Sequence, residues 1–210
     1  MKVLSIDFDY FVDADIYTRN TKFPNAEDIT NPQEITEMWE ECYSEYEDIK
    51  DIGVNEDYDL MCDFLKGHRK VPTLITESHR FAYDFIKGLQ SGSDTILEIV
   101  NVDFHHDNYY MYGGKVTCAN WLMKVCEEAN TDNVLWIKRK DSETESLAGS
   151  FPYTMSNDII HSFREYDAIF ICMSPEWTPP HLRPYYEKLV KCTGQLLKVS
   201  CTCEIDFFGL

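Results

Sequence analysis

The stretch TILEIVNVDFHHDN, residues 95–108, joins a strongly apolar run to a set of metal-binding side chains. The apolar part, Thr95–Val102, has the length and composition of a buried strand. Because side chains alternate along an extended chain, Asp103, His105 and Asp107 then point in the same direction. An imidazole between two carboxylates suits Mn²⁺, Fe²⁺ or Zn²⁺, so this stretch predicts a metal site at the end of a strand.

A second acidic segment, SIDFDYF at residues 5–11, closes an apolar run at the N-terminus. The same alternation gives Asp7 and Asp9 a shared direction. If the two acidic segments meet, their carboxylates repel one another unless cations neutralise them. A site for two divalent metal ions is the simplest explanation for this combination.

Two further residues are candidates for the same site. His79 follows the apolar run Val71–Thr76 and lies near a predicted helix start, where a histidine can also be purely structural. Glu176 follows the run Ala168–Met173 within the proline-rich loop SPEWTPP. Proline restricts the backbone, so such a loop can hold one carboxylate towards a cationic substrate; the alternative is an ordinary exposed connector.

Apolar runs alternate with helical patterns along the chain, which predicts a three-layer α/β fold around a mainly parallel sheet. The predicted strands are Lys2–Phe8, Val71–Thr76, Thr95–Val102, Asn133–Ile137, Ala168–Met173 and Leu196–Cys203. The predicted helices are Pro32–Ile49, Tyr58–Lys66, Arg80–Leu89, Ala119–Ala129, Ser156–Glu165 and Pro184–Cys192. Ligands of such sheets bind at the carboxyl ends of strands, where every candidate residue falls. The length of 210 residues predicts one domain over the whole chain.

Composition and charge narrow the possible partners. The net charge of −18 at pH 7 disfavours nucleic acid and favours a cationic ligand, although much of it also serves solubility. The acidic segment 27–63 is either a solvated helical face or a lid. The eight cysteines show no paired CxxC spacing, so we expect mostly buried thiols. No apolar stretch suggests a membrane span and no signal peptide is recognisable, which predicts a cytoplasmic protein without a membrane partner.

Taken together, these motifs resemble the arginase/agmatinase (ureohydrolase) superfamily, which shares its fold with histone deacetylases. VDFHHDN (102–108) resembles the DxHxD motif, TESHR (76–80) resembles the loop that supplies an upstream histidine, and SPEWTPP (174–180) resembles the segment with the guanidinium-binding glutamate. The DxD of SIDFDYF stands first in this chain instead of between DxHxD and the glutamate, which implies a circularly permuted or rearranged version. The pattern is most similar to a branch of small arginase-like proteins that includes peptide arginases, which convert arginine side chains in ribosomally made peptides to ornithine.

The resemblance implies two Mn²⁺ ions per chain. The implied metal ligands are Asp7 and Asp103 as bridges, His79 and Asp107 at one ion, and His105 and Asp9 at the other. Glu176 would pair with the guanidinium, and Asp107 would pass a proton to the leaving amine, giving urea and ornithine. The implied substrate is an arginine-containing peptide or a small guanidinium compound. The proton-shuttling histidine that family members carry after DxHxD has no match, since Cys118–Trp121 takes roughly that position.

Two other functions stay open at this point. The first is another metal-dependent hydrolase of C–N bonds on the same scaffold, either agmatinase-like or a deacetylase that needs one metal and leaves Asp9 and Glu176 without roles. The second is a catalytically inactive, metal-binding relative, which the missing histidine permits. Metal content and urea release distinguish these alternatives. The sequence does not indicate the oligomeric state.

Overall fold

A six-stranded, all-parallel sheet forms the centre of the molecule. The computed structural model describes residues 1–26, 28, 31–90, 96–109, 114–129, 131–144 and 153–195. The strands are β1 (Lys2–Asp7), β2 (Thr73–Thr76), β3 (Leu97–Val102), β4 (Thr131–Ile137), β5 (Tyr153–Ser156) and β6 (Ala168–Cys172). Their order across the sheet is β2-β6-β1-β3-β4-β5, so the prediction of an α/β fold with a parallel sheet is confirmed.

Six α-helices surround this sheet in the described part of the chain. They are α1 (Ile16–Lys22), α2 (Pro32–Glu45), α3 (Asp57–Lys66), α4 (Phe81–Gln90), α5 (Trp121–Glu128) and α6 (Arg183–Cys192). Short 3₁₀ helices span Phe8–Phe11, Glu47–Asp51, Ile159–Ser162 and Pro180–Leu182. Within the same residues, no helix combines the length and the apolar character that crossing a membrane requires.

Two hydrophobic cores lie on opposite faces of the sheet, and β1 contributes to both. Leu4 and Ile6 pack with α2, α3 and α6, whereas Val3 packs with α4 and α5. The middle strands are therefore buried on both faces, which explains their nearly continuous apolar sequences. The candidate site lies at the carboxyl ends of these strands, where their apolar sequences stop.

One predicted helix is wrong, and one strand of the sheet was not predicted. The predicted helix Ser156–Glu165 is wrong, because Ser156 ends β5 and only Ile159–Ser162 is helical, as a 3₁₀ turn. The Asp158 side chain accepts a hydrogen bond from the amide of Ile160, which favours a tight turn over a longer helix. The strand β5 itself was not predicted, because its half-exposed sequence at the sheet edge lacks an apolar run.

The helix predicted at Pro32–Ile49 begins where expected but ends at Glu45. Two features favour a helix start here: the Asn31 side chain accepts a hydrogen bond from the amide of Gln33, and Pro32 is the first helical residue. The seven-residue helix α1 was not predicted, although Asp15 caps it by accepting from the amide of Thr18. The predicted strand Leu196–Cys203 lies outside the described residues.

Candidate metal centre

The candidate site is formed at the carboxyl ends of four neighbouring strands, β2, β6, β1 and β3. The strands end in register: Asp7 pairs with Cys172, Cys172 pairs with Thr76, and Ile6 pairs with Val102. The segments that follow these ends therefore converge at one edge of the sheet. All four predicted motifs are in these segments, although they are up to about 170 residues apart in the chain.

One group of side chains forms around His79, which is almost fully buried. Its Nδ1 lies 2.9 Å from Oδ2 of Asp107, 3.1 Å from Oδ2 of Asp7 and 3.2 Å from Oδ2 of Asp103. The imidazole ring is held between Trp121 and the parallel ring of Phe170. We call His79 with its three carboxylates the His79 group.

A second group forms around His105, whose Nδ1 lies 2.9 Å from Oδ2 of Asp9. Potential ligand atoms of Asp9, Asp103 and His105 lie within 4.8 Å of one another, and we call these residues the His105 group. Asp103 belongs to both groups: its Oδ1 accepts from the amide of His105, while its Oδ2 faces His79. Both groups are buried, carry the donor atoms that divalent ions use, and can hold metal ions.

Polar side chains from the surrounding elements hold four of these ligand-type residues in place. These contacts are Ser5 to His79 (2.7 Å), Asn101 to Asp103 (3.2 Å), Trp121 to Asp107 (2.5 Å) and Ser174 to Asp7 (2.5 Å). Such outer contacts fix the orientation and protonation of metal ligands. The motifs of the sequence do not predict roles for Ser5, Asn101 or Ser174. Ser5 and Asn101 could have been noticed in the sequence, since they are polar residues inside apolar strands that are buried.

Arg19 is a further residue that the sequence did not reveal. Its side chain is completely buried and donates hydrogen bonds to the carbonyl oxygens of Asp9 (2.7 Å), Val12 (2.9 Å) and Ala14 (3.1 Å). Its Nη1 lies 3.6 Å from Oδ2 of Asp9, and its guanidinium carbon lies 3.8 Å from the centre of the Phe104 ring. A fixed positive charge therefore lies next to the His105 group.

Two backbone positions at the site are unusual. Asp107 and Ser174 have φ values of 50° and 47°, in the left-handed region that residues other than glycine seldom adopt. Left-handed residues of this kind are enriched at functional sites.

His106 packs against Tyr109 and Trp136, as expected from its opposite direction along the chain, and its Nδ1 accepts a hydrogen bond from the amide of Asn108.

Burial and mutual repulsion change the protonation of the cluster. Burial, reinforced by the Asp107 carboxylate, raises the pKa of Asp103 to about 8, and burial with the Asp9 carboxylate raises the pKa of Asp7 to about 6. Burial alone would lower the pKa of His105, but the neighbouring Asp9 carboxylate raises it to about 9. Without metal, protons thus partly neutralise the cluster, and a divalent cation would take over that task.

A cavity of about 250 Å³ opens onto the cluster. Asp7, His79, His105 and Asp107 line it together with Glu176, which is only 4% exposed. The remaining two predicted ligands, Asp9 and Asp103, contact the lining residues His105 and His79. All seven predicted site residues are thus brought together around one cavity.

The loop that carries Glu176 is fixed from both sides. The indole nitrogen of Trp39 in α2 donates to the carbonyl oxygen of Pro175 at 2.7 Å, and the Thr178 hydroxyl donates to the carbonyl oxygen of Met173 at 2.7 Å.

Cys172, at the end of β6, also lies close to Asp7 and His79, with potential ligand atoms within 4.8 Å of one another. Cys172 lies at this position because it pairs with Asp7 in the register of β1 and β6.

No family model, no curated protein and no solved structure matches this chain. What the molecule itself displays is an α/β fold with an all-parallel sheet and buried His/Asp groups that are compatible with metal binding.

Proposed function

We propose that the protein is a two-metal hydrolase that cleaves guanidinium groups, with arginine side chains of peptides as its substrate and ornithine and urea as products. One observation carries the proposal. Two imidazoles and four carboxylates lie in two connected groups, and a fifth carboxylate, Glu176, lines the same cavity. The resemblance to ureohydrolases rests on this set of residues.

The residues present fit a pair of divalent ions. Of the two predicted bridges, Asp103 lies between the two groups, whereas Asp7 faces His79. Asp7 would therefore hold one ion together with His79 and Asp107, and His105 with Asp9 would hold the other. We propose Mn²⁺ for both positions, because mixed carboxylate and imidazole donors suit it. When bound, two such ions lower the pKa of a water molecule, so that it can attack as hydroxide at neutral pH.

Glu176 is the residue that would recognise the guanidinium. A carboxylate pairs with this planar cation through two parallel hydrogen bonds, which fixes the plane in which the central carbon is attacked. Holding the carboxylate still preserves that geometry, and the hydrogen bonds to Pro175 and Met173 restrain its loop. Trp177, the next residue, packs against the ring of His105 and links this loop to the His105 group.

Asp107 would move the proton during bond cleavage. Hydrolysis would join a water oxygen to the guanidinium carbon and break the bond from that carbon to the side-chain nitrogen, which must gain a proton to leave as an amine. The Asp107 side chain lines the cavity and is oriented by the indole nitrogen of Trp121, 2.5 Å from its Oδ2. It can therefore receive a proton from water and deliver it to the leaving nitrogen.

The charge of the cavity supports a peptide over free arginine. Among the described residues that line it there is no Lys or Arg, whereas Asp7, Asp107, Glu143 and Glu176 are acidic. The carboxylate of free arginine would lack a counter-ion here and would be repelled. An arginine residue within a peptide has no such carboxylate, and the net charge of −18 attracts basic peptides.

We also propose that the scaffold is an arginase/deacetylase-like fold in circularly permuted order. The DxD motif comes first in the chain, yet β1 lies between β6, which leads to Glu176, and β3, which leads to the DxHxD motif. Parallel strands present their carboxyl ends at one edge whatever their order in the chain, so the same site can form from a rearranged sequence.

The test is to load the purified protein with Mn²⁺ and offer arginine, agmatine and a peptide with internal arginine and blocked ends. We expect urea and an ornithine residue, detected by mass spectrometry, from the peptide. Glu176→Gln keeps the shape but removes the charge, so turnover should fall by about a hundredfold or more with metal content unchanged. The matched control is Glu127→Gln on the exposed face of α5.

Three outcomes would change the proposal. Two bound ions without urea from any substrate would exclude guanidinium hydrolysis and leave a metal-binding protein. Release of acetate from an acetyl-lysine peptide would favour the one-metal deacetylase alternative. A failure to bind any divalent ion would remove the basis for the metal centre itself.

A further inference from the structure

Arg19 is a cation that is locked in place beside the His105 group. Three carbonyl oxygens accept its hydrogen bonds, Phe104 covers its face, and none of its side chain is exposed. Its Nη1 has no hydrogen-bond acceptor of its own and lies 3.6 Å from Oδ2 of Asp9, the oxygen that Nδ1 of His105 approaches at 2.9 Å. An arginine side chain stays charged in proteins, so this positive charge is permanent.

The two groups therefore differ in charge. The His79 group contains the carboxylates of Asp7, Asp103 and Asp107 around one imidazole. The His105 group contains only the carboxylates of Asp9 and Asp103, and Arg19 offsets one of them. In a buried environment such a difference acts strongly on a divalent ion, because little water is present to screen it.

We propose that Arg19 is a positioning residue that fixes Asp9 and makes the His105 group the weaker of two metal subsites, so that ions bind to the His79 group first. This inference rests on the two-metal centre proposed above. Arg19 would orient the Asp9 carboxylate together with the amide of Phe104, and its charge would oppose the second ion. Occupancy of the His105 group then depends on the metal concentration, and activity that needs both ions depends on it as well.

The test is a titration of the metal-free, full-length protein with Mn²⁺, which needs no substrate. Free Mn²⁺ is followed by electron paramagnetic resonance, and bound metal is counted after equilibrium dialysis. We expect two steps whose dissociation constants differ by about tenfold or more. His79→Ala should remove the tight step, and His105→Ala should remove only the weak one.

Variants of Arg19 separate its charge from the number of ligands in each group. Arg19→Gln keeps an amide donor for the carbonyl oxygens but removes the charge, so the weak step should tighten by about tenfold while the tight step is unchanged. Arg19→Lys is the matched control, because it keeps the charge and should keep the weak step weak. Circular dichroism and thermal unfolding establish that each variant is folded before it is titrated.

Several results would overturn the inference. Two indistinguishable steps in the natural protein would do so, as would loss of the tight step in His105→Ala. A folded Arg19→Gln with an unchanged weak step would remove Arg19 as the cause. If Arg19→Gln does not fold, the histidine variants still decide the order of binding. Absence of any bound Mn²⁺ would overturn both this inference and the proposed centre, whereas equal steps would leave the centre intact.

Discussion

At the scale of single residues, the site depends on small polar groups behind the ligands. Ser5 contacts Nε2 of His79 at 2.7 Å, on the opposite side of the ring from the carboxylates. If the hydroxyl accepts the proton of Nε2, then Nδ1 presents its lone pair to a metal ion between Asp7, Asp103 and Asp107. In that case Ser5, which is not itself a candidate ligand, would select the imidazole tautomer that metal binding requires.

Ser5→Ala tests this role of the hydroxyl. We expect affinity for Mn²⁺ at the His79 group to fall by about tenfold or more, since the imidazole loses the contact that orients it. Calorimetric titration measures the change. Ser162→Ala is the control, because Ser162 is also buried and donates to a backbone oxygen, that of Ile159, without touching either group. An equal loss of affinity in both variants would indicate a general effect of stability.

At the scale of elements, helix α2 supports the loop that carries Glu176. Its Trp39 is 2% exposed, and the indole nitrogen donates to the carbonyl oxygen of Pro175 at 2.7 Å. The helix therefore fixes a loop that lines the cavity, although no residue of the helix itself lines it. This contact gives Trp39, within the acidic segment 27–63, a structural role, while most of the other residues of α2 are exposed.

Trp39→Phe removes this hydrogen bond while keeping most of the buried ring. We expect the stability of the protein to fall by about 1–2 kcal/mol, because a buried backbone oxygen loses its donor. If Glu176 binds the guanidinium as proposed, the KM for that substrate should rise more than kcat falls, since the loop would hold this carboxylate less firmly. Tyr43→Phe, on the same helix, removes a hydrogen bond to His181 and serves as control. Equal KM values for the two variants would contradict the positioning role.

The same scale shows what the sequence can predict and what it cannot. Charged residues that interrupt apolar strands at their ends are recognisable in the sequence, and this pattern identified Asp7, Asp9, Asp103, His105 and Asp107. The order of the strands could not be predicted, since it depends on which neighbours each strand pairs with. Arg19 remained hidden for a related reason: it belongs to a helix of only seven residues, and its partners are carbonyl oxygens that leave no trace in the sequence.

At the scale of the whole molecule, the cluster links metal content to stability and pH. The folded, metal-free protein holds protons on Asp7, Asp103 and His105, whose pKa values are about 6, 8 and 9. In the unfolded chain these groups titrate near 4 for the carboxyls and 6.5 for the imidazole. The folded state therefore binds more protons than the unfolded state over this range. The stabilisation is complete below the unfolded values and is lost as the pH rises through the folded ones.

The Tm of the protein treated with chelator should consequently fall as the pH rises from 6 to 9, by more than about 5 °C. Bound Mn²⁺ replaces the protons, so the loaded protein should show a flatter profile, and the gain in Tm from metal should grow with pH. Differential scanning calorimetry at a series of pH values measures both curves. Asp103→Asn removes the group with the largest carboxyl shift and should flatten the profile of the metal-free protein. A Tm that is independent of pH without metal, or a metal effect that shrinks as the pH rises, would contradict the view that cations and protons compete for one buried cluster.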